Sequence, residues 1–473
     1  MQLAHSFVYL LIRFPKLAIN PENDYLARMK KNARKTILRT ILCVLAAGLI
    51  GGCLYLNSLM PIITGYAAKN LASAVFVSGR DQADVEALDL HFSFIKFNKN
   101  KVDYENKTVT SRFLWAKSTA VYRDGYGVTL LRGKTVDELK AEKFPLPLEE
   151  AGDPRPLALG DSALRARLEP LAEAFVDKQY YNGTPFAFVV LHKGGIVAER
   201  YRKGITRDTR LLSWSMGKSV TSALVGCMVE DGHVDLCEPM DIPEWQGDER
   251  RNITLNDLLQ MQSGLEWNEN YGTRSDVNLM LHREQDMGLY ALSKPLEHKP
   301  GTYWYYSSGT TNIVMRYLRS RFASDTEFLS YIRREIFEPL GIRNAYFEPD
   351  MSGTPVGSSY LYMTARDFAK FGQLYLDNGK AGDLRVFPEG WVEYSAAPTS
   401  GSQGEYGAFF WLNRGGKYPD APADMFECRG HDGQEIFIVP SKDLVVVVLG
   451  YSPKPDRVVD WNRLLKEIIE VLP

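Results

Sequence analysis

Ser215 and Lys218, three residues apart in Ser215-Met216-Gly217-Lys218, could form a nucleophile and its base. A serine hydroxyl attacks a carbonyl only when one group removes its proton and others stabilise the oxyanion that forms. If a helix begins at Ser215 and runs to Glu230, with Gly232 as its stop, the amine of Lys218 lies one turn on and on the same face as the hydroxyl. The partial positive charge at a helix N-terminus favours both a deprotonated serine and a neutral lysine. Taken alone, the pair also fits a helix N-cap serine and a solvated lysine. The spacing recurs in Ser93-Phe94-Ile95-Lys96, but the alternation of HFSFIKF there reads as a strand. Residues three apart on a strand point to opposite faces, so Ser93 and Lys96 are read as structural.

Two further strings follow in order, Pro300-Gly301-Thr302-Tyr303-Trp304-Tyr305-Tyr306-Ser307-Ser308 and Gly430-His431-Asp432-Gly433-Gln434. With the Ser215 string they resemble the three motifs of the serine β-lactamase-like and penicillin-binding-protein superfamily. These are an S-x-x-K, a tyrosine element written Y-A-N or Y-S-x, and a K-T-G that is often H-x-G in esterase and amidase branches. Supporting strings, LLQMQSGL from Leu258, MTARD from Met363 and VVVV from Val445, are similar to those of the same family. The resemblance covers about residues 161–472, and YSSGTTN and SGLEW bring it nearest to the aminohexanoate-dimer (nylon-oligomer) hydrolase and esterase branch of the class C β-lactamase-related enzymes.

The resemblance implies an acyl-enzyme on Ser215, with Lys218 and Tyr306 relaying the proton and returning it to the leaving group. Either could be the base. A free phenol titrates near about 10, so Tyr306 would serve only if the Lys218 ammonium and the helix end lowered its pKa. The family's oxyanion hole maps onto the backbone amides of Ser215 and Gln434, each such donor being worth about 3 to 4 kcal/mol. Gly433 would let backbone and substrate approach closely. Tyr303, Trp304 and Tyr305 are read as core or pocket walls.

Three departures from the β-lactamase pattern bear on substrate: His431 stands for the lysine of K-T-G, Asp432 for its hydroxyl residue, and Ser308 for the asparagine of Y-A-N. All three are expected at the substrate. A largely neutral imidazole beside a carboxylate binds an antibiotic carboxylate poorly, so a neutral ester or amide fits better than a β-lactam. The rival readings are a penicillin-binding or sensor domain that acylates without efficient turnover, and a D-amino-acid peptidase or β-lactamase. Ser213-Trp214-Ser215-Met216-Gly217 lacks the first glycine of an α/β-hydrolase elbow. The seven histidines are scattered without H-E-x-x-H spacing, so neither a metal nor a cofactor is implied.

The elements that must position these groups can be read along the chain. DSALRARLEPLAEAFVDKQ from Asp161 has helical periodicity after an N-cap candidate, and FAFVVLHKGGIVAERYRKG reads as two strands joined at Lys193-Gly194-Gly195. The middle, from Ser215 to about Ser400, is mostly helical in pattern. Strands return in YGAFFWLN, QEIFIVP and LVVVVLGY, before a closing helix from Val458 to Val471. Strands at both ends of a helical middle predict an α+β fold, one antiparallel sheet flanked by helices with a helical insertion and a cleft between the parts. The resemblance implies the β-lactamase/transpeptidase-like version of it. Residues 100–131 read as a small antiparallel meander with turns at Glu105-Asn106 and Arg123-Asp124-Gly125, packed on the main domain and in reach of a substrate-gating role. PLPLEEAGDPRP from Pro145 reads as a linker.

The uncharged run Ile41 to Leu56 extends to Ile63 with only Asn57 interrupting, close to the roughly 20 residues of a spanning helix. Lys30, Lys31, Arg34, Lys35 and Arg39 precede it, which keeps the N-terminus cytoplasmic. A cleaved signal and a lipidated Cys53 are the competing readings. The expected organisation is a cytoplasmic segment at 1–38, a transmembrane anchor at 39–63, a membrane-proximal β-rich region and linker at 64–155, and the hydrolase domain at 156–473. This sets the protein in the inner (cytoplasmic) membrane, single-pass, with the catalytic domain extracytoplasmic. A net charge of -2 gives no broad cationic field, which sets nucleic acid aside. The expected partners are a small ester or amide and the membrane, and the oligomeric state is left open. Cys227 and Cys237 are expected as free thiols.

Overall fold

The computed structural model describes residues 24–148, 153–453 and 455–473. The expected cytoplasmic segment therefore lies outside the described residues as far as residue 23, as do residues 149–152 of the expected linker. Contacts divide the chain into one unit up to Leu59 and another from Met60 to Pro473.

Helix α1 (Asp24–Phe76) supplies the described part of the first unit. Its residues Leu45, Leu49 and Leu54 are each more than half exposed. Among the described residues it is the one helix long and apolar enough to cross a membrane, and it lies near the N-terminus, where a signal sequence has the same character.

In the second unit the last turns of α1 are buried, with Ala67, Ala68 and Leu71 fully enclosed. The meander follows as β1 (Lys99–Asp103), β2 (Thr108–Phe113), β3 (Ala116–Arg123) and β4 (Gly127–Leu130), antiparallel and in sequence order. It shares its compact unit with the residues that follow. Val128 N donates to Glu348 Oε1 at 2.7 Å, and the hydroxyls of Tyr122 and Tyr346 meet at 3.1 Å. HFSFIKF is not the strand its alternation suggested. Ser93 takes a left-handed φ of 42°, and Ile95–Phe97 is a turn of 3-10 helix that tucks Ile95 under while Phe94 and Phe97 stay exposed.

Asp161 caps α2 (Ser162–Val176), accepting from Leu164 N at 2.7 Å. The hairpin β5 (Pro185–His192) and β6 (Gly195–Tyr201) turns at Lys193 and Gly194, both at positive φ. Then come β7 (Leu211–Leu212), α3 (Met216–Glu230), α4 (Ser308–Ser320), β8 (Tyr346–Phe347), β9 (Leu361–Met363) and α5 (Ala365–Leu376). The chain ends with β10 (Trp411–Leu412), β11 (Phe426–Gly430), β12 (Gln434–Val439), β13 (Leu444–Gly450) and α6 (Trp461–Val471). YGAFFWLN yields only the two residues of β10, because Phe409 at φ 63° breaks the extended run.

The main sheet is antiparallel in the order β10-β11-β12-β13-β5-β6. Its two sequence halves join where β13 pairs β5, from Leu444 opposite His192 to Gly450 opposite Pro185. Helices cover both faces, which is why these strands read as unbroken apolar runs. Phe188, Val446 and Val448 pack towards Leu168, Leu464 and Leu465 of α2 and α6, whereas Val189, Val445 and Val447 pack in the cluster that includes Phe371 of α5 and Val220 of α3. The α+β architecture, with a helical middle inserted between the halves of one sheet, is the one expected.

Candidate active site

Ser215 is the N-cap residue of α3, held there by a short sheet in which β7 pairs β9, Leu211 opposite Met363 and Leu212 opposite Tyr362. Ser213 N donates to Leu361 O at 2.8 Å, and Trp214 bends the chain into the helix at a φ of 44°. That left-handed conformation is costly for a large side chain and is held by packing. The Trp214 indole lies among Tyr66, Tyr271, Tyr360 and His431, with ring centroids 6.3, 6.5, 6.4 and 5.5 Å away. Gly217 is required beside it, since a Cβ there would stand 2.8 Å from Gly357 O. Ser215 itself is half-buried and reachable.

Lys218, one turn on and 1% exposed, reaches Ser215 Oγ at 2.9 Å, Ser308 Oγ at 3.0 Å and Ser358 O at 3.1 Å. Burial lowers its pKa to about 8, against the pull of Glu269, which favours the ammonium. Tyr306 precedes the N-cap of α4, Ser307, which accepts from Thr310 N at 3.1 Å. Its ring lies against Tyr406 and Trp411, and its centroid is 4.9 Å from Lys218 Nζ. Burial raises the phenol's pKa well above its ordinary value, Glu269 raises it further, and hydrogen bonding to Ser215 pulls it back in part. A tyrosine acting as base would need a shift in the opposite direction.

Ser308 was expected at the substrate but is fully buried behind Lys218. Its hydroxyl donates to Glu269 Oε1 at 2.5 Å and its amide to Glu269 Oε2 at 2.9 Å, while Trp267 Nε1 also donates to Oε2. Glu269 and the Ser358 carbonyl are thus parts of this network that the motifs did not reveal. SGLEW points to the neighbourhood of Glu269, but nothing in its spacing ties a carboxylate to a hydroxyl 39 residues on.

The third string forms the hairpin between β11 and β12, with Gly430 opposite Gln434 and the turn made by Asp432 and Gly433 at φ 58° and 85°. Its contact with the segment that leads into Ser215 is at Gly430, where a Cβ would stand 2.3 Å from Ser213 O. Gln434 lies across the hairpin, and its side chain bonds the carbonyls of His431, Asp432 and Gly450 and accepts from Gly450 N. Gly433 approaches Ser452, not the cleft, its Cβ position being 3.0 Å from Ser452 Cβ. Asp432 is likewise turned inward, lining a small cavity with Tyr66, Asn70, Arg80 and Asp89, and burial raises its carboxyl pKa. Of these residues His431 remains at the site. Its ring stacks on Tyr271 at 4.6 Å and 18°, and its Nε2 is 3.2 Å from Asp432 Oδ1.

A serine, a buried amine and a phenol at the edge of a helix-covered antiparallel sheet define a serine-hydrolase-type site on a β-lactamase fold. A model of the Beta-lactamase family matches residues 171–468, and the chain belongs to that family. It is similar to the 6-aminohexanoate-dimer hydrolase of Paenarthrobacter ureafaciens, 27% identical over 306 residues that cover 60% of this chain and 76% of that one. Among solved structures it resembles EstCE1, a hydrolase with promiscuous acyltransferase activity, at a TM-score of 0.54 and 14% identity over 66% of this chain and 99% of the other. EstA from Arthrobacter nitroguajacolicus Rue61a is similar at a TM-score of 0.51 and 17% identity, over 67% of this chain and 97% of that one. At these identities the structural likeness is one of fold.

Proposed function

We propose that the protein cleaves neutral ester or short amide bonds through an acyl-enzyme on Ser215, with Lys218 as the base and Tyr306 as the proton shuttle. The observation that carries this is the 2.9 Å contact between Lys218 Nζ and Ser215 Oγ in a buried setting that holds the amine near a pKa of about 8. A neutral amine has two hydrogens and one lone pair. Ser358 O can only accept, and Ser308 Oγ already gives its own hydrogen to Glu269, so both N–H bonds are engaged and the lone pair is left for the Ser215 proton. As Ser215 attacks, Lys218 takes that proton. Tyr306, kept as a phenol by burial, gives its own to the leaving group and recovers one from the Lys218 ammonium. Water reverses the sequence in deacylation.

The Ser215 amide at the N-terminus of α3 is one oxyanion donor. The contact of Gly430 with Ser213 O favours the adjoining His431 amide as the second, in place of that of Gln434. Similarity to the Paenarthrobacter enzyme supports short amides among the substrates, and a likeness of fold to a family VIII carboxylesterase, at a TM-score of 0.52 and 16% identity, supports esters. The apolar helix supports a membrane-anchored enzyme with its catalytic unit outside the cytoplasm.

The test is a fluorophosphonate probe on the full chain with peptide mapping, beside turnover of nitrophenyl esters, short amides, D-amino-acid peptides and nitrocefin. Label on Ser215 with sustained ester or amide turnover is expected. Label on another serine, or a stable Ser215 adduct without turnover, would overturn the reading, the latter in favour of a receptor that acylates and holds.

A further inference from the structure

We propose that the outer face of the meander, with the loop before it, docks on the head-group region of a bilayer containing anionic phospholipids. This goes beyond hydrolysis and rests on reading residues 39–63 as a membrane span. Phe94, Phe97, Leu114 and Trp115 are 52, 58, 64 and 60% exposed. They come from two segments, the loop before β1 and the turn between β2 and β3, joined by Phe94 against Phe113 at 6.2 Å. Four large apolar side chains gathered in water mark an interaction surface, whereas single exposed ones do not.

The charges beside them are one-sided. Lys99 stands opposite Arg112, and Arg112 opposite Lys117, which lines up three cations across neighbouring strands. Like charges directly opposite in a sheet repel. Among the described residues these three make no ion pair that would offset the repulsion. Lys101, two residues from Lys99, shares their face, and Lys96 Nζ lies 5.2 Å from the Phe97 ring centroid. Residues 91–117 hold six Lys and Arg against two acids, in a chain whose net charge is -2. Aromatic and leucine side chains flanked in sequence by lysine and arginine, as Leu114 and Trp115 are by Arg112 and Lys117, suit the membrane interface, where the rings settle at head-group level and the cations meet anionic lipid.

The surface is fastened where the apolar stretch ends. Asn98 Nδ2 donates to Ile63 O at 3.3 Å, and Thr64 Oγ1 meets Ser118 Oγ at 2.8 Å, so loop and meander both grip the residues at which the span would close.

The experiment places the full chain in nanodiscs of phosphatidylcholine alone or mixed with phosphatidylglycerol. Each carries a phospholipid with a diazirine near the glycerol, and crosslinks are mapped to peptides. Adducts are expected on peptides spanning residues 91–99 and 112–117 as well as on α1, several-fold more with phosphatidylglycerol. They should be lost from the first group alone in the F94S/F97S/L114S/W115S variant. The exposed K99E/R112E/K117E variant should reduce the lipid dependence even if the apolar variant fails to fold. Adducts confined to α1 would overturn the docking surface and leave the span standing, whereas none on α1 would overturn the span.

Discussion

Glu269 lies two hydrogen bonds from Lys218, joined to it by the Ser308 hydroxyl, which accepts from the amine at 3.0 Å and donates to the carboxylate at 2.5 Å. The carboxylate favours the ammonium form of Lys218 while burial favours the free amine, and burial is the larger effect. In the proposed mechanism this balance lets the lysine serve as the base while the tyrosine stays un-ionised.

The neutral amine is the form that accepts a proton. With Lys218 at about 8, kcat/KM should rise about tenfold per pH unit below that value and level off above it. Glu269→Gln removes the charge that raises the lysine's pKa, so the rising limb should move to lower pH. A profile that stays in place in the variant would separate Glu269 from the titration.

Tyr306→Phe keeps the ring that packs on Tyr406 and Trp411 and removes the phenol that, in the proposed mechanism, returns a proton to the leaving group. We expect kcat to fall by about 10²- to 10⁴-fold with KM little changed. The loss should be smaller for nitrophenyl esters, whose leaving group needs no proton, than for amides. Steady-state kinetics on both substrate types checks this.

Gly430→Ala places a methyl group against the Ser213 carbonyl, from which an ideal Cβ would be 2.3 Å away. Backbone must move on one side or the other, and a shift of about 1 Å at the nucleophile can cost about 10²-fold in rate. Activity should drop by that order while circular dichroism is retained. Gly433→Ala, strained at a φ of 85° on the far side of the turn, should lower stability more than rate.

Lys69, 2% exposed, forms an ion pair with Glu348, 0% exposed, and Ser73 and the Val128 amide complete the carboxylate's partners. Removing one member leaves an uncompensated buried charge, so Lys69→Met should destabilise the second unit by about 3 to 5 kcal/mol. Replacing both, as K69M/E348L, should recover much of this because the charges go together. Denaturant midpoints of the single and double variants give the answer.

The sheet was legible in the sequence because strands covered on both faces are uninterrupted runs, as in Phe186 to Leu191 and Leu444 to Leu449. The helix after Ser215 was legible from its stop at Gly232, at a φ of 71°, and not from its start, where the Ser215 side chain makes no capping hydrogen bond. HFSFIKF misled because its alternating phenylalanines mark no sheet face: Phe92, Phe94 and Phe97 are exposed and Ile95 alone of the string is buried, in a turn of 3-10 helix. The third string was legible as an element and not in its parts. Spacing cannot tell whether Gly430 or Gly433 makes the close approach, since that depends on which edge of the hairpin meets Ser213. Glu269 and Ser358 act through contacts with residues 39 and 140 positions away, and no local rule records such pairings.

Trp214's positive φ has a practical meaning for anyone trimming the gene. One ring that holds the indole, Tyr66, lies more than a hundred residues upstream of where the family match starts. An expression fragment cut to the family's limits would lose that support, along with Lys69 and the meander, and would strand Glu348 without its cation. The smallest piece worth purifying begins near Met60, where the compact unit begins.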